Sequence, residues 1–290
     1  MSALGQLNPS SPAAKAKELE EEIHREAALR KASSRRGEKW KIALWGLTLP
    51  LLALLIWQTL SGLELVSPTL FPSPLSIAKE FAAMVQSGEL LGHLQVSVKR
   101  AAYGFLLGGS LGLLAGLLVG LRNKAEYMLD PTLQMLRTVP HLAITPLFIL
   151  WFGFGEMSKI LLISLGAFFP LYVNTFLGVR NVDSKLFDVS KVLEFSRLQQ
   201  ITKLVLPSAL PNVLLGLRLS LGVSWLGLVV AELMGSSEGI GYMIQDARQF
   251  SRTTAVFVGI IIFAVVGKLA DSVVRQLEER LLRWRDNYKG

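Results

Sequence analysis

Apolar residues in this chain are bunched into six runs of membrane-crossing length, roughly 42–60, 101–121, 136–153, 158–178, 211–234 and 254–270. A helix needs about 20 predominantly apolar residues to span the hydrocarbon core, where helices and closed barrels alone satisfy the backbone. The pattern predicts an all-α membrane protein with six transmembrane helices. Pro140 and Pro146 fall in the third run and Pro170 in the fourth. The third is therefore expected to be kinked or partly re-entrant, and the fourth weakened at its proline.

Between the fourth and fifth runs the pattern changes period. The insert is about thirty residues long, where a loop between spans needs only a few. Val189, Val192, Leu193, Phe195, Leu198, Ile201, Leu204 and Val205 recur at three- and four-residue spacing, which reads as amphipathic helix. Lys191, Glu194, Arg197, Gln199, Gln200 and Lys203 fill the gaps. Leu206-Pro207 and Leu210-Pro211 then punctuate entry into the next span, since proline cannot continue a helix with its ladder intact. Two readings follow: a stiff docking hairpin jutting from the membrane domain, or an interfacial helix lying on lipid.

Composition agrees with a membrane protein: 51% of residues are hydrophobic and mean hydropathy is +0.44. The first 39 residues differ from the rest. They are polar and charged, with no cleavable signal peptide in view, and read as a cytoplasmic tail that is partly helical. Glu21/Arg25 and Glu26/Arg30 can pair along it at i,i+4. The membrane domain is expected over 40–285, with the polar loop at 183–209 inside it.

The net charge of +8 does not point to nucleic acid once its distribution is considered. With the N-terminus inside, the tails, the short loop holding Arg122, Lys124 and Arg137, and the long loop carry most of the basic residues. The outward loops hold only Lys79, Lys159, Arg248 and Arg252. This positive-inside pattern puts both termini and the hairpin in the cytoplasm. There is no cysteine, so no disulfide.

Gly104, Gly108, Gly112, Gly116 and Gly120 form an unbroken series at four-residue spacing in the second run. They share one helix face and admit a neighbouring backbone; pore lining is the other reading of that face. His24, His93 and His141 have no Cys, Asp or Glu at metal-ligand spacing, and no phosphate-cradling GxxxxGK[ST] occurs. Gly239-Ile240-Gly241 lacks the third glycine of a dinucleotide fingerprint and reads as a turn at the outer surface. Ionisable groups near apolar runs are costly unless they face protein or water. Arg100, Arg218 and Glu232 are such groups. Arg218 and Glu232 are about 21 Å apart on a straight helix, so they are not a pair within it. Each reads either as a snorkelling or packing group or, for the arginines, as a source of favourable potential for an anion crossing the pore. His141, Asn174, Ser224 and Trp225 are further candidates for the path, and equally for interhelical hydrogen bonds.

The hairpin resembles the EAA-x3-G-x9-I-x-LP loop of permease subunits in ATP-binding-cassette importers. Asp188 falls at the Glu, Ser190 at the second Ala, Leu204 at the Ile, and Leu206 and Pro207 at the terminal LP. Val189 replaces the first Ala, and Glu194 sits where the family has a turn-forming Gly. MLRTVPHLAITPLFILWFG (135–153), FFPLYVNTFLGVRNVD (168–183), GLRLSLGVSWLGLVVAEL (216–233) and GIGYMIQDAR (239–248) resemble the aliphatic sulfonate permeases, with nitrate, taurine and bicarbonate permeases as near relatives.

The resemblance implies a type I importer permease in a bacterial inner (plasma) membrane, working as a homodimer. Two cytoplasmic subunits would bind ATP and Mg and hydrolyse it; an extracytoplasmic binding protein would deliver the substrate. This chain would bind no cofactor, perform no covalent chemistry, and convert ATPase closure into alternating access. Asp188, Ser190, Glu194, Phe195, Ser196, Arg197, Leu198, Leu206 and Pro207 would then form the ATPase-coupling surface. Two other classes are weighed against this. An ion-coupled secondary transporter should carry midplane carboxylates and related repeats, but the one acid within a run is Glu232, near its end. An intramembrane enzyme should carry a nucleophile with a base or a metal cluster, and neither is evident.

Overall fold

The structure, a computed structural model, describes residues 45–283, without the side chains of His141 and Leu142. The expected tail over 1–39, with its Glu–Arg pairs, lies outside the described residues. The chain divides into two compact units at Pro68/Thr69. In the first, α1 (Trp45–Gly62) is an 18-residue apolar helix. The second holds α2 (Pro74–Gln86), α3 (Glu89–Leu121), α4 (Asn123–Arg137), α5 (Thr145–Phe152), α6 (Glu156–Arg180), α7 (Ser184–Val192), α8 (Arg197–Gln200), α9 (Leu206–Gly235), α10 (Ile240–Gln249) and α11 (Thr253–Leu281). All regular structure among the described residues is helical.

Among the described residues, five helices are long and apolar enough to cross a membrane: α1, α3, α6, the continuous α8–α9 rod and α11. The run at 136–153 is not a sixth such helix. It is divided among the end of α4, a 3-10 turn at His141–Ile144 and the eight-residue α5. Pro140 and Pro146 supply the reason: each lacks an amide donor, and each disfavours helical backbone at the residue before it. Hydropathy alone does not register that interruption.

Packing of α3 on α6 follows from the glycine series. A Cβ on Gly112 would run into the Phe168 carbonyl, one on Gly116 would lie 2.7 Å from Thr175 Cβ, and one on Gly120 2.8 Å from Val179 Cβ. Gly104 and Gly108 meet Ile163 and Ser164 in the same way. Close approach of backbones is what small residues at this spacing permit. Residue numbers rise together on the two helices, so α3 and α6 are parallel. The chain from 122 to 155 must therefore return along the bundle. It does so beside α6 in reverse order: Glu126 pairs with Arg180, Asp130 accepts the Tyr172 hydroxyl at 2.6 Å, and α5 lies near Ser158 and Lys159.

On its other side α6 packs antiparallel against α9. The Ser220 hydroxyl donates to the Ala167 carbonyl at 2.6 Å, and Gly216 abuts Asn174 and Leu171 while Gly178 abuts Ala209 and Asn212. Leu162, Ile163, Ala167, Leu171, Tyr172 and Leu228 are buried along this α3–α6–α9 core. Phe168, Tyr172 and Phe176 stack nearly parallel within it, with centroids 5.9 and 6.2 Å apart.

The fifth apolar run starts earlier than its prolines suggest. Residues 201–205 form a wide turn of i→i−5 type, with the Leu206 amide donating to the Ile201 carbonyl. This bulge absorbs the amide missing at Pro207, and α9 continues through Pro211. The Leu-Pro steps therefore lie inside a helix continuous with α8.

Candidate functional site

The polar insert folds as the hairpin α7–turn–α8. Asp183 caps α7 by accepting the Lys185 amide. At the other end the Phe195 amide reaches the Ser190 carbonyl and the Glu194 amide the Lys191 carbonyl, each at 3.0 Å. That pair of bonds is a Schellman termination, which places its turn residue in the left-handed region. Glu194 has φ 53°. The turn that the family makes with glycine is thus made here by a glutamate. Ser196 and Gln199 close a capping box at the start of α8, so direction reverses within four residues and without slack.

The hairpin offers large apolar side chains outward among its charged ones. Val192 is 83% exposed and Leu198 71%, with Val189 and Leu193 beside them and Leu206 partly open. Ser190 is buried and bonds the Phe187 carbonyl. Phe195 is half-buried under Lys203, whose ammonium lies 5.4 Å from the ring centroid. Asp188 is held by Lys191 at 3.0 Å, and Glu194, Ser196 and Arg197 are exposed. The motif residues therefore divide into those that shape the turn (Ser190, Glu194, Phe195, Ser196) and those that form its surface. Pro207 starts α9 behind it.

A second polar constellation occupies the opposite end of the bundle. Arg100 on α3 is 3% exposed; its guanidinium donates to Glu232 at 2.9 Å, to Glu156 at 2.6 and 2.5 Å, and to the Glu238 carbonyl at 2.6 Å. Glu232, 1% exposed, also accepts the Ser97 hydroxyl at 2.8 Å and the Gly241 amide at 2.9 Å. Ser97 in turn accepts the Ile240 amide at 2.8 Å, and His93 Nδ1 the Gly239 amide at 3.1 Å. The Gly239–Gly241 turn is accordingly not at the surface: Ile240 and Gly241 are buried. Gly239 has φ 108° and lies against the Glu232 carboxylate, a conformation and a closeness that need glycine. Sequence reasoning missed Ser97, Glu156 and the turn as partners: Ser97–Glu232, Arg100–Glu156 and Ser97–Ile240 are 135, 56 and 143 residues apart, and Gly241, nine residues from Glu232, was read as part of a surface turn.

Of the other membrane candidates, Arg218, Ser224 and Trp225 border one cavity of about 260 Å³ between α9 and α11, whereas Asn174 borders a different one. Arg218 grips Asp271 of α11 through Nε at 2.6 Å and Nη2 at 3.2 Å. Trp225 donates its indole N–H to the Phe263 carbonyl at 3.1 Å and packs on Gly267. Ser224 bonds the Leu221 carbonyl of its own helix. Asn174 donates to the Pro170 carbonyl at 2.8 Å and borders a cavity of about 330 Å³ between α6 and α9. The His141 side chain lies outside the described residues.

Residues 108–283 match the family model of the binding-protein-dependent transport system inner membrane component. A chain named as an aliphatic sulfonates transport permease protein, SsuC, from Bacillus subtilis (strain 168) is 63% identical over 91% of this chain and 94% of its own length. Its namesake from Escherichia coli (strain K12) is 43% identical over 87% and 95%. In fold, the chain is similar to one from a crystal structure of an amino acid ABC transporter with histidines. The TM-score is 0.56 at 15% identity, over 71% of this chain and 98% of the other. With a family model matched over residues 108–283 and a relative 63% identical over 91% of its length, the chain belongs to the inner membrane components of binding-protein-dependent ABC transporters.

Proposed function

We propose that this permease carries aliphatic sulfonates inward, as a homodimer driven by two ATP-hydrolysing subunits and supplied by an extracytoplasmic binding protein. The 63% identity to a chain named for sulfonate transport carries the substrate assignment. The hairpin at 183–209 is the coupling element: its exposed Val192, Leu193 and Leu198 give an ATPase subunit an apolar anchor on a stiff support. Its basic flanks favour the cytoplasmic side, which puts the Arg100–Glu232 end outward. The broken stretch through α4 and α5 supplies the return crossing that parallel α3 and α6 demand, bringing the count to six and both termini to the cytoplasm.

Reconstitution with the ATPase subunits tests the substrate. Sulfonate-loaded binding protein is expected to raise ATP hydrolysis and drive uptake of labelled alkanesulfonate. Stimulation confined to nitrate-, taurine- or bicarbonate-loaded binding proteins would move the substrate to that branch. Uptake by this chain alone, driven by an ion gradient, would overturn the ATP-driven reading.

A further inference from the structure

Several arginines on the bundle's helices are neutralised by a carboxylate. Arg100 has Glu156 and Glu232, Arg180 has Glu126, Arg218 has Asp271, and Arg252 has Glu80. Arg137, at the end of α4, makes no ion pair with a described carboxylate. It borders the cavity of about 330 Å³ beside the middle turns of α6 and α9, not the cytoplasmic loop to which the charge distribution assigned it, because α4 carries it back along α6. A cation on a membrane element without its own counter-ion marks a place where a mobile anion supplies one.

The rest of the lining fits one kind of anion. Asn174 spends one amide hydrogen on the Pro170 carbonyl and keeps a second for an oxygen acceptor. Val139, Phe169 and Leu219 line the remainder, an apolar sleeve without a second charge. Pro170 has no amide, so the Gly166 carbonyl at the same cavity lacks its helical donor. A guanidinium matches two oxygens of one head group at once. An arginine fork, an amide donor and an apolar sleeve together recognise a singly charged oxyanion that carries a short alkyl chain.

Resting on the transport reading above, we propose that this cavity is the substrate's resting site within the membrane, with Arg137 and Asn174 holding the sulfonate head and Val139, Phe169 and Leu219 the alkyl tail. Arg218, tied to Asp271, and Arg100, tied twice, are then structural.

The chain has no cysteine, so a thiol introduced at the cavity is the permease's single reactive group, and modification is read on the permease band after the subunits are separated. Val139→Cys, and separately Leu219→Cys in case either fails to assemble, are made in the full complex in liposomes. Each is treated with a sulfonate-bearing anionic methanethiosulfonate and with a trimethylammonium analogue. The anionic reagent is expected to react about ten times faster, after correction for intrinsic rates, as a positive cleft concentrates anions. Butanesulfonate should slow it, inorganic sulfate should protect less, and adding Arg137→Gln should abolish both preference and protection. Equal rates for the two reagents, or a preference that survives Arg137→Gln, would overturn the site. ATPase stimulation of the unsubstituted complex is read in parallel: a response to another anion's binding protein, with the reagent preference intact, would remove the sulfonate assignment and leave an anion cavity.

Discussion

Arg100 is where a single side chain holds the most. Buried ion pairs add little net stability over well-packed apolar groups, but removing one partner strands the other charge. Arg100→Gln leaves Glu232 buried with only Ser97 and the Gly241 amide. The expected loss is about 3–5 kcal/mol, read as a lower melting temperature of the detergent-solubilised protein. Glu156 has a side chain 55% exposed, so Glu156→Gln should stay within about 1 kcal/mol. Arg100→Gln combined with Glu232→Gln should cost less than the two singly, because neither charge is then stranded. Additive losses would mean that the two side chains are not coupled. Glu194 is the opposite case, a residue at odds with its backbone. Left-handed geometry costs a residue with a Cβ about 1–2 kcal/mol, so Glu194→Gly should stabilise the turn and leave uptake intact. Glu194→Val should reduce uptake, because a β-branched residue resists φ 53°. Similar uptake by both variants would mean that the turn's shape does not matter.

At the scale of elements, the α3–α6 seam offers a comparison between adjacent glycines. A Cβ at Gly112 meets the Phe168 main chain, whereas at Gly109 it meets only Leu171 Cδ2 at 3.6 Å and the Phe105 ring at 3.9 Å. Gly112→Ala should therefore cost about 1–3 kcal/mol through overpacking, and Gly109→Ala should be neutral or slightly stabilising in a helix. Equal stability of the two variants in a thermal assay would show that the helices do not meet along this face. Much of this seam was legible in the sequence, because a repeat of four is a helix face whatever its partner. The long spans were legible too, since length and apolarity suffice to define them. The stretch at 136–153 was not: its composition satisfies a span, while Pro140 and Pro146 break the helix that composition implies. Leu206-Pro207 misled in the other sense, for a wide turn at 201–205 absorbs the missing amide and the helix runs on. The charge clusters were illegible because their partners are remote in sequence. Arg218 could be weighed against Glu232 on its own helix, but Asp271 lies just past the last apolar run and offered no pattern to find.

For the whole molecule, the two ends of the bundle are built differently. At the Arg100–Glu232 end, α3, α6, α9 and the α10 turn are tied through charges and main-chain amides. At the other end the hairpin is short, capped at both helices and tipped with exposed Val192 and Leu198. Force applied there reaches α6 and α9 directly, because α7 follows α6 by a few residues and α8 is continuous with α9. Coupling should then depend on the crown's apolar contact rather than on the stability of the fold. Leu198→Asp changes a side chain that is 71% exposed and leaves the capping box and the Schellman turn in place. Insertion, dimer assembly and thermal stability should be unchanged. Truncating an interface anchor costs about 2 kcal/mol or more, so ATPase subunits should be retained at least about thirtyfold less tightly, with uptake falling in parallel. Leu198→Met, which keeps the apolar contact, should restore both. Normal ATPase retention and normal uptake in Leu198→Asp would take the coupling surface away from this face of the hairpin. Loss of insertion would show instead that Leu198 rests on lipid, the interfacial alternative that the sequence left open.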